Sequence, residues 1–427
     1  MTPQRHDSVM ARRERAMGAG MALFYREPIH IVRGEGAHLF DTEGRRYVDM
    51  YNNVPCVGHG NPRVAEAMAR QQATLNVHSR YLHEGIIQLA ERLAGLHGEQ
   101  IESVVFACSG TEAVEVAIQM ARGATGQRGI IGTNATYHGN SETVIGLSRA
   151  PLEPDRYPDI RSMAFPETLR PIQEGLSESA LGDAYLNELQ VSIDSLKATP
   201  SGFAAVVFCS IMANEGLPNI PAGFMAKAAD LVRRAGGLVI ADEVQAGYAR
   251  TGSWWGYEVT GFQPDIVVTG KPMGNGLPVS AAAASRELVD GFRSRSRYFN
   301  TFASSPLQAA VGMAVLDEIE DRHLLANVSE VGAELKETIA SLTADVEWVA
   351  DVRGHGLFLG IEAVTDRSTM TPDKTRAIDV VNQLKDLGFL TSNAGAHENV
   401  VKIRPPLVFN ATDAADFAEA LAQVTNG

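Results

Sequence analysis

The chain has 427 residues, more than one ordinary domain, and its 45% hydrophobic and 21% charged content is typical of a globular protein with a sizeable core. A formal net charge of -14 argues against nucleic acid or an anionic membrane surface as the main partner. Three cysteines lie far apart without CxxC spacing, so the sequence predicts neither a disulfide framework nor a zinc site, and a reducing cytoplasm is the expected compartment. No apolar stretch reaches the roughly 18 residues of a membrane helix.

The first fifty residues are predicted to form a helix and a small antiparallel sheet. Residues 1–20 carry four arginines against two acidic residues, which favours a solvated helix lying across a partner subunit, with a transit peptide as the alternative. Residues 30–50 combine short apolar runs with turn signals at Gly34, Gly36 and Gly44, a pattern typical of antiparallel strands.

The middle of the chain alternates helices with short β-branched runs, which predicts a mostly parallel sheet with right-handed crossovers. Strands are predicted at 103–108, 129–133, 204–209, 238–244 and 265–270. Residues 150–200 are rich in Pro, Glu and Asp, and we expect them to form an excursion beside the ligand site. A long amphipathic helix is predicted at 307–321, followed by an α+β tail.

The two most informative residues stand at the ends of two predicted strands. Asp242 closes the run LVIAD, and Lys271 follows DIVVTG and opens a glycine-bearing turn. An open α/β sheet collects its ligands beyond the carboxyl ends of its strands, so both side chains are expected in one crevice. A desolvated lysine can form a Schiff base with an aldehyde cofactor, and an aspartate can keep a pyridine nitrogen protonated. Each residue alone has a commoner explanation, as a solvated lysine and a helix-capping aspartate.

A phosphate site is predicted at the start of the helix in residues 107–126. The turn Ser109 to Thr111 opens this helix, so free amides and the positive end of the dipole point outward, where phosphate binds well. An ordinary N-cap is the alternative. Tyr137 and His138 follow the strand near 129–133, where an aromatic ring can stack on a flat cofactor, although a lone aromatic is more often part of the core.

The order of these segments resembles the class III aminotransferases over nearly the whole chain. The matching segments are SGTE (109–112), TYHG (136–139), ADEVQAG (241–247), GKPMGNG (270–276) and FNTF (299–302). The resemblance implies an α/β fold of fold-type I, with a large domain built on a mostly parallel seven-stranded sheet and a small α+β domain formed by both termini. It implies boundaries at 1–75 for the N-terminal segment with part of the small domain, 76–305 for the large domain and 306–427 for the C-terminal small domain.

The same resemblance implies that the cofactor is pyridoxal 5'-phosphate and assigns roles around its ring. Lys271 is implied as the Schiff-base lysine and Asp242 as the partner of the pyridine nitrogen. Val244 is implied on the ring face opposite Tyr137, and Gln245 near the phenolic oxygen.

The phosphate end of the cofactor is implied to be shared between two subunits. Ser109, Gly110 and Thr111 fall where the family binds phosphate, and Thr301 falls where a neighbouring subunit completes that site. His138 is expected in the pocket wall among the cofactor-binding residues, because the histidines lack metal-ligand spacing and no metal is expected. An obligate homodimer is therefore implied.

The implied activity is transfer of an amino group from an amino acid or amine to an oxo acid. Ornithine-type members carry an arginine three positions before the Pro-Pro of their C-terminal strand, where this chain has Lys402. They also carry a glutamate at a strand end where this chain has Cys209. Both changes weaken the case for 2-oxoglutarate, so pyruvate or glyoxylate is the expected acceptor.

Elimination of phosphate is the alternative reaction. Residues 76–84 and 392–409 look most like the subgroup that holds the ethanolamine-phosphate phospho-lyases, which use the same cofactor. The departing phosphate needs cations, and Arg80, Lys402 and Arg404 are the candidates. The alternative for these three is that Arg80 pairs with Glu84 while Lys402 and Arg404 face solvent.

Asn53 is a fourth candidate substrate residue. Against the lyase, the segment FASSPLQ (302–308) lacks the Gly-Gly-Asn-Pro-like turn of those relatives. A cofactor-binding homologue without catalysis is a third possibility, which the presence of Lys271 and Asp242 disfavours.

Overall fold

The protein is described by a computed structural model, which covers residues 3–148 and 156–426. Its strands form three sheets: a small sheet near the N-terminus, a central sheet of seven strands, and a third sheet built from the C-terminal part of the chain. The central sheet positions the candidate site, and the other two sheets lie on chain segments that flank it in sequence.

The N-terminal part begins with helix α1 (Pro3–Met17), as predicted. Strands β1 (Ile31–Glu35), β2 (His38–Asp41) and β3 (Arg46–Asp49) then pair antiparallel, which confirms the antiparallel unit expected from the turn signals. A strand from the other end of the chain, β14 (Phe389–Leu390), pairs parallel with β3. The C-terminal tail is therefore joined by backbone hydrogen bonds to the N-terminal unit.

The central sheet is seven-stranded and mostly parallel, as predicted. Its strands in chain order are β4 (Ser103–Ala107), β5 (Ile130–Thr133), β6 (Ile160–Met163), β7 (Ala205–Cys209), β8 (Leu238–Asp242), β9 (Ile266–Thr269) and β10 (Ser280–Ala284). Their order across the sheet is β4-β10-β9-β8-β7-β5-β6. Only β10 runs antiparallel to its neighbours among these pairs, and the remaining pairs are parallel.

Two of these strands were not predicted. β10 has the sequence SAAAA, which lacks the β-branched residues that signal a strand, yet it is fully buried between β4 and β9. β6 lies within residues 150–200, where the sequence suggested only an excursion, and it forms one edge of the sheet. Part of that segment, residues 150–155, lies outside the described residues.

Helices cover both faces of the central sheet, so its strands alternate between two cores. Val206 and Phe208 belong to one apolar cluster, whereas Val207 and Ile240 belong to the other. The helices of this part are α2 (Pro62–Thr74), α3 (Glu84–Gly95), α4 (Gly110–Thr125), α5 (Glu142–Ile145), α6 (Glu178–Lys197), α7 (Phe224–Arg234), α8 (Gly256–Thr260) and α9 (Arg286–Arg295).

The C-terminal part begins with the predicted long helix, α10 (Pro306–Asp321), whose N-cap Ser305 accepts a hydrogen bond from the Gln308 amide at 3.2 Å. The remaining elements are α11 (Leu324–Leu342), β11 (Val349–His355), β12 (Phe358–Asp366), β13 (Thr371–Pro372), α12 (Lys374–Asp386), β15 (Ser392–Ala394), β16 (Val400–Ile403) and α13 (Ala411–Asn426). Their strands form an antiparallel sheet in the order β11-β12-β16-β15, with β13 paired to β12.

No helix in the described ranges combines the length and the apolar character needed to cross a membrane.

Candidate active site

A cavity of about 350 Å³ lies where β7, β8 and β9 end and α4 begins. This is the edge at which open α/β sheets bind ligands. The structure brings together there the cofactor residues predicted from one chain, namely Ser109, Gly110, Thr111, Tyr137, His138, Asp242, Val244, Gln245 and Lys271. Residues that lie far apart in the sequence therefore line one cavity.

The Asp242 carboxylate is held rigidly at the end of β8. Its Oδ1 accepts a hydrogen bond from the Val244 amide at 3.0 Å, and its Oδ2 lies 2.6 Å from His138 Nδ1. Because an ionised carboxylate only accepts, the imidazole donates through Nδ1. His138 Nε2 in turn lies 3.1 Å from the Thr136 hydroxyl. The carboxylate is therefore oriented by donors on both oxygens.

Lys271 follows β9 and lies in the same cavity as Asp242. Burial lowers the pKa of Lys271, the Asp242 carboxylate partly opposes this shift, and the Arg404 guanidinium adds to it. A lowered pKa makes the neutral, nucleophilic amine more accessible near neutral pH. The lysine is therefore suited both to bond an aldehyde and to accept a proton.

The start of α4 forms a recess for an anion. Ser109 caps the helix by accepting a hydrogen bond from the Glu112 amide at 3.2 Å, which leaves other first-turn amides free. Gly110 comes close to Val244, since a Cβ at position 110 would lie 3.2 Å from both Val244 methyl groups. A side chain at position 110 would therefore crowd the recess.

A second tight approach lies beside Thr111. Gly139 has a φ of +146°, and a Cβ there would lie 2.5 Å from the Thr111 hydroxyl oxygen. That hydroxyl also accepts a hydrogen bond from the Asn140 amide at 3.2 Å. The Tyr-His-Gly turn and the start of α4 are thus packed together by a glycine that no larger residue can replace without movement.

Tyr137, Val244 and Gln245 complete the cavity wall. Val244 is buried, whereas the Tyr137 side of the cavity is open, with that residue 43% exposed. The Gln245 side chain is fixed, because Nε2 donates to Asn214 Oδ1 at 3.2 Å and Oε1 accepts from Arg404.

Lys402 and Arg404 are buried beside the cavity, so the alternative that they face solvent is wrong. Arg404 donates from Nε to the Tyr51 carbonyl at 3.0 Å and from Nη1 to Gln245. Burial, reinforced by the positive charges of Arg404 and Lys271, lowers the pKa of Lys402 to about 7. Within the described chain, the Lys402 amine has no hydrogen bond or ion pair.

Cys209 lines the cavity but was not predicted as a site residue, and the buried Glu215 lies close to it outside the lining. Burial raises the pKa of Cys209 well above the usual range, so the strand end carries a neutral thiol that lines the cavity. Glu215 lies in the loop after β7 and accepts a hydrogen bond from the Thr133 hydroxyl at 2.5 Å. Its sequence context, ANEGL, matches no motif. The only available signal was that a glutamate follows closely after Cys209, the strand end at which this chain lacks the glutamate of ornithine-type members.

Asn53, Arg80 and Thr301 lie outside the lining of the cavity in this chain. Asn53 is buried, and its Nδ2 has no partner in the described residues. The Arg80 guanidinium lies 4.2 Å from the Phe299 ring centre and forms no ion pair with Glu84 in the described ranges. Thr301 is exposed. Roles for these three residues stay predictions.

Comparison with known proteins places the chain in a family. Residues 24–425 match the family Aminotransferase class-III. "Alanine--glyoxylate aminotransferase 2-like" of Drosophila melanogaster is 37% identical over 95% of this chain and 84% of its own length. "Ethanolamine-phosphate phospho-lyase homolog 1" of Caenorhabditis elegans is 33% identical over 98% and 93%. A solved Arthrobacter phospholyase in complex with phosphoethanolamine superposes with a TM-score of 0.94, at 35% identity, over 98% of this chain and 99% of that one.

The chain belongs to the class III aminotransferase family. It is a pyridoxal-phosphate-dependent enzyme of fold-type I, as the resemblance implied. The cavity fits this cofactor on its own chemistry, because it offers an amine of lowered pKa, an oriented carboxylate and a recess of helix amides kept open by Gly110.

Proposed function

We propose that this enzyme transfers an amino group from an amino acid or amine to a small oxo acid, with pyruvate or glyoxylate favoured over 2-oxoglutarate. The observation that carries the proposal is Lys271, a half-buried amine of lowered pKa that shares the cavity with the fixed Asp242 carboxylate. Lys271 would act as the base and Asp242 as the partner of the ring nitrogen of the cofactor, both in one cavity.

The proposed cofactor contacts around the ring follow the cavity wall. Lys271 would bond the aldehyde carbon of the cofactor, and Asp242 would hold the proton of its ring nitrogen. Tyr137 and Val244 would pack against the ring, and Gln245 would contact the phenolic oxygen. When bound, pyridoxal phosphate withdraws electrons from the bonds at the amine-bearing carbon.

The phosphate contacts are proposed at the start of α4. Ser109, Gly110 and Thr111 supply amides and hydroxyls, and Thr301 of a second copy completes the site. His138 supports the site indirectly, because it donates its Nδ1 hydrogen to Asp242 and keeps that carboxylate in place.

In the proposed mechanism, Lys271 Nζ removes the proton from the amine-bearing carbon of the substrate. Burial and nearby positive charge favour the neutral amine that can accept this proton. The same Nζ would then return that proton in the step that completes amino transfer. The Val244 amide and His138 Nδ1 hold the two oxygens of the Asp242 carboxylate in a fixed orientation.

The size of the oxo acid is proposed from Lys402 and Cys209. Lys402 is a buried cation, its neighbour Arg404 is already bonded to the Tyr51 carbonyl and to Gln245, and position 209 carries a neutral thiol instead of a carboxylate. A lysine ammonium acts as a point charge, whereas arginine binds carboxylates through two parallel hydrogen bonds. One such cation matches the single carboxylate of pyruvate or glyoxylate better than the two carboxylates of 2-oxoglutarate.

A second candidate is elimination of phosphate from a phosphoethanolamine-like amine. It is favoured by the buried side chains of Lys402 and Arg404, which lie close together and can bind a departing dianion. Residues 303–305 lack the two glycines that the phospho-lyases carry in this turn, but this difference argues less strongly against elimination than the sequence suggested. Ser304 adopts a φ of 57°, a left-handed conformation that glycine favours, so this position takes up that conformation without a glycine.

One experiment separates the two reactions. Purified enzyme is incubated with phosphoethanolamine and no oxo acid, while free phosphate and the cofactor absorbance are followed together. Phosphate release with recovery of the starting spectrum would establish elimination. If instead simple amino acids or amines change the spectrum, pyruvate restores it and no phosphate appears, amino transfer is established.

We also propose a homodimer with shared active sites. Apolar residues around the predicted shared edge are exposed, with Leu82 97% and Phe302 74% accessible. A groove of about 440 Å³ beside them is lined in part by Tyr81, Leu82 and Ser304. A second copy placed on this surface would bury these side chains and bring Thr301 to the neighbouring cavity.

The proposed domains are residues 1–75 with 306–427 as the small domain and 76–305 as the large domain. Pairing of β14 with β3 supports joining the two termini in one unit. A cytoplasmic location is proposed from the three free thiols, Cys56, Cys108 and Cys209.

A further inference from the structure

Three polar side chains form a hydrogen-bonded chain along one side of the cavity. Arg404 donates from Nη1 to Gln245 Oε1, and Gln245 Nε2 donates to Asn214 Oδ1 at 3.2 Å. Asn214 Nδ2 then donates to the Tyr137 carbonyl at 3.3 Å. Gln245 and Tyr137 line the cavity, whereas Asn214 lies outside the lining. Asn214 therefore joins two wall residues that lie far apart in the sequence.

The two ends of this chain fix the direction of its hydrogen bonds. A guanidinium can only donate, so the Gln245 atom that faces Arg404 is the oxygen. A carbonyl can only accept, so the Asn214 atom that faces Tyr137 is the nitrogen. Turning either side-chain amide over would place donor against donor or acceptor against acceptor. Both amides therefore have one orientation.

The Arg404 end is held firmly. Arg404 is buried, and its backbone amide donates to the Met50 carbonyl at 2.7 Å. Its Nε donates to the Tyr51 carbonyl at 3.0 Å. The guanidinium that orients Gln245 is therefore itself fixed by backbone groups.

The loop that carries Asn214 is anchored on both sides of this residue. Before it, the Ala213 amide donates to Cys209 Sγ at 3.4 Å. After it, the Gly216 carbonyl accepts a hydrogen bond from Arg353 Nε at 3.0 Å. The Asn214 side chain is thus presented to Gln245 from a backbone that is already in place.

Gln245 keeps one hydrogen for a ligand. Its Nε2 carries two hydrogens, and within the described ranges Asn214 is the one residue that accepts from it. The Gln245 oxygen is turned to Arg404. Since Gln245 lines the cavity, it offers a ligand there an N–H donor and not an acceptor. Such a donor suits an anionic oxygen.

We propose that Asn214 is a positioning residue for the reaction: by accepting from Gln245 and donating to the Tyr137 carbonyl, it holds the second Gln245 N–H toward the phenolic oxygen of the cofactor. This inference rests on the proposed contact between Gln245 and that oxygen. Without Asn214, the Gln245 amide nitrogen has no partner that fixes it, and the side chain can turn away from the cofactor.

The test uses the cofactor-loaded enzyme without substrate and follows the absorbance of the bound cofactor against pH. A donor to the phenolic oxygen offsets negative charge that otherwise holds the proton shared with Lys271 Nζ. In Asn214→Leu and in Gln245→Met, which keep nearly the same side-chain shape, we therefore expect the titration midpoint to rise by about half a pH unit or more. If Asn214→Leu does not fold, Asn214→Ala removes the same two hydrogen bonds with a smaller side chain.

A double variant shows whether Asn214 acts through Gln245. When Asn214→Leu is combined with Gln245→Met, we expect the midpoint of Gln245→Met alone, because the side chain that Asn214 positions is already gone. Asn219→Leu is the matched control, since Asn219 lies in the same connection between β7 and α7. Its Nδ2 donates to Asp351 at 3.0 Å, outside the cavity lining, and the variant should titrate as the wild type does.

Kinetics give a second readout. In Asn214→Leu we expect kcat to fall while KM stays within about twofold, because Asn214 lies outside the cavity lining and the substrate contacts are unchanged.

Four results would overturn the inference. A shifted midpoint in Gln245→Met beside wild-type midpoints in Asn214→Leu and Asn214→Ala would show that Asn214 does not position Gln245. Shifts that add in the double variant would show that Asn214 acts independently of Gln245. A control Asn219→Leu that shifts as far as Asn214→Leu would reveal a general disturbance of the loop. If Gln245→Met itself leaves the midpoint unchanged, the proposed contact of Gln245 fails and this inference fails with it.

Discussion

The cavity at the strand ends and the exposed edge around Thr301 differ in how complete they are within one chain. At the strand ends, Asp242 is buried and Lys271 is half-buried, and contacts from the same chain hold Asp242 and the start of α4 in place. At the edge, Thr301 and its apolar neighbours face outward. The chemical half of the site is therefore preorganised by one fold, whereas the other half is proposed to depend on a second copy.

Replacing Lys271 tests the preorganised half most severely. In Lys271→Ala we expect turnover to fall by at least about 10⁴-fold, because both the bond to the cofactor and the proton transfer are lost. Cofactor absorbance in the gel-filtered protein, together with a rate assay, measures this. Lys336→Ala removes a lysine bound to the Gly354 carbonyl instead and is the control. A Lys271→Ala protein that stays coloured and active would refute the assignment.

Asp242→Asn is expected to have the next largest effect. The lysine remains, so the cofactor stays bound, but a neutral amide cannot hold the ring nitrogen protonated, and kcat should fall by about 10²-fold or more. The absorption spectrum and single-turnover rates measure this change. An unchanged rate would place the electron-sink partner elsewhere.

Lys402 tests the boundary between the two halves. Its pKa of about 7 means that the ammonium is present below that pH and is lost as the pH rises through it. The KM for an anionic substrate should therefore rise above pH 7. Lys402→Met should raise KM about tenfold or more at pH 6, from the loss of one charged hydrogen bond of roughly 1.5–3 kcal/mol, and should remove the pH dependence.

Lys402→Arg sharpens this test, because arginine keeps its charge at all relevant pH values. We expect a KM that no longer rises above pH 7 in this variant. Identical pH profiles in the wild type, Lys402→Met and Lys402→Arg would show that the substrate anion binds elsewhere, for example at Arg80.

The sequence was most informative where local chemistry is distinctive. β-branched runs marked five strands of the central sheet, and Asp242 and Lys271 at two of their ends located the cavity. It was least informative where burial replaces local signal. β10 is almost entirely alanine and became a strand only because its neighbours cover both sides.

Glu215 and Lys402 show a second limit. Alternation along β16 indicates which residues share a face, but it cannot show that the face is covered, and covering is what lowers the pKa of Lys402. Glu215 accepts its hydrogen bond from Thr133, which lies on a different part of the chain. Interactions of this kind depend on tertiary packing and have no local pattern.

The exposed edge is tested most finely by Thr301→Ala. If the hydroxyl of a second copy binds the cofactor phosphate, its loss should weaken cofactor affinity by about tenfold, in line with one hydrogen bond to a charged group, while kcat at saturating cofactor stays unchanged. Thr412→Ala, at an exposed threonine in α13, is the matched control.

Mixing Thr301→Ala with Lys271→Ala chains then decides whether the site is shared. In a mixed dimer the only intact Lys271 belongs to the chain carrying Thr301→Ala, and its phosphate is completed by the unaltered Thr301 of the other chain. The mixture should therefore regain sites with wild-type cofactor affinity, whereas a threonine that acts within its own chain would leave every active site weakened.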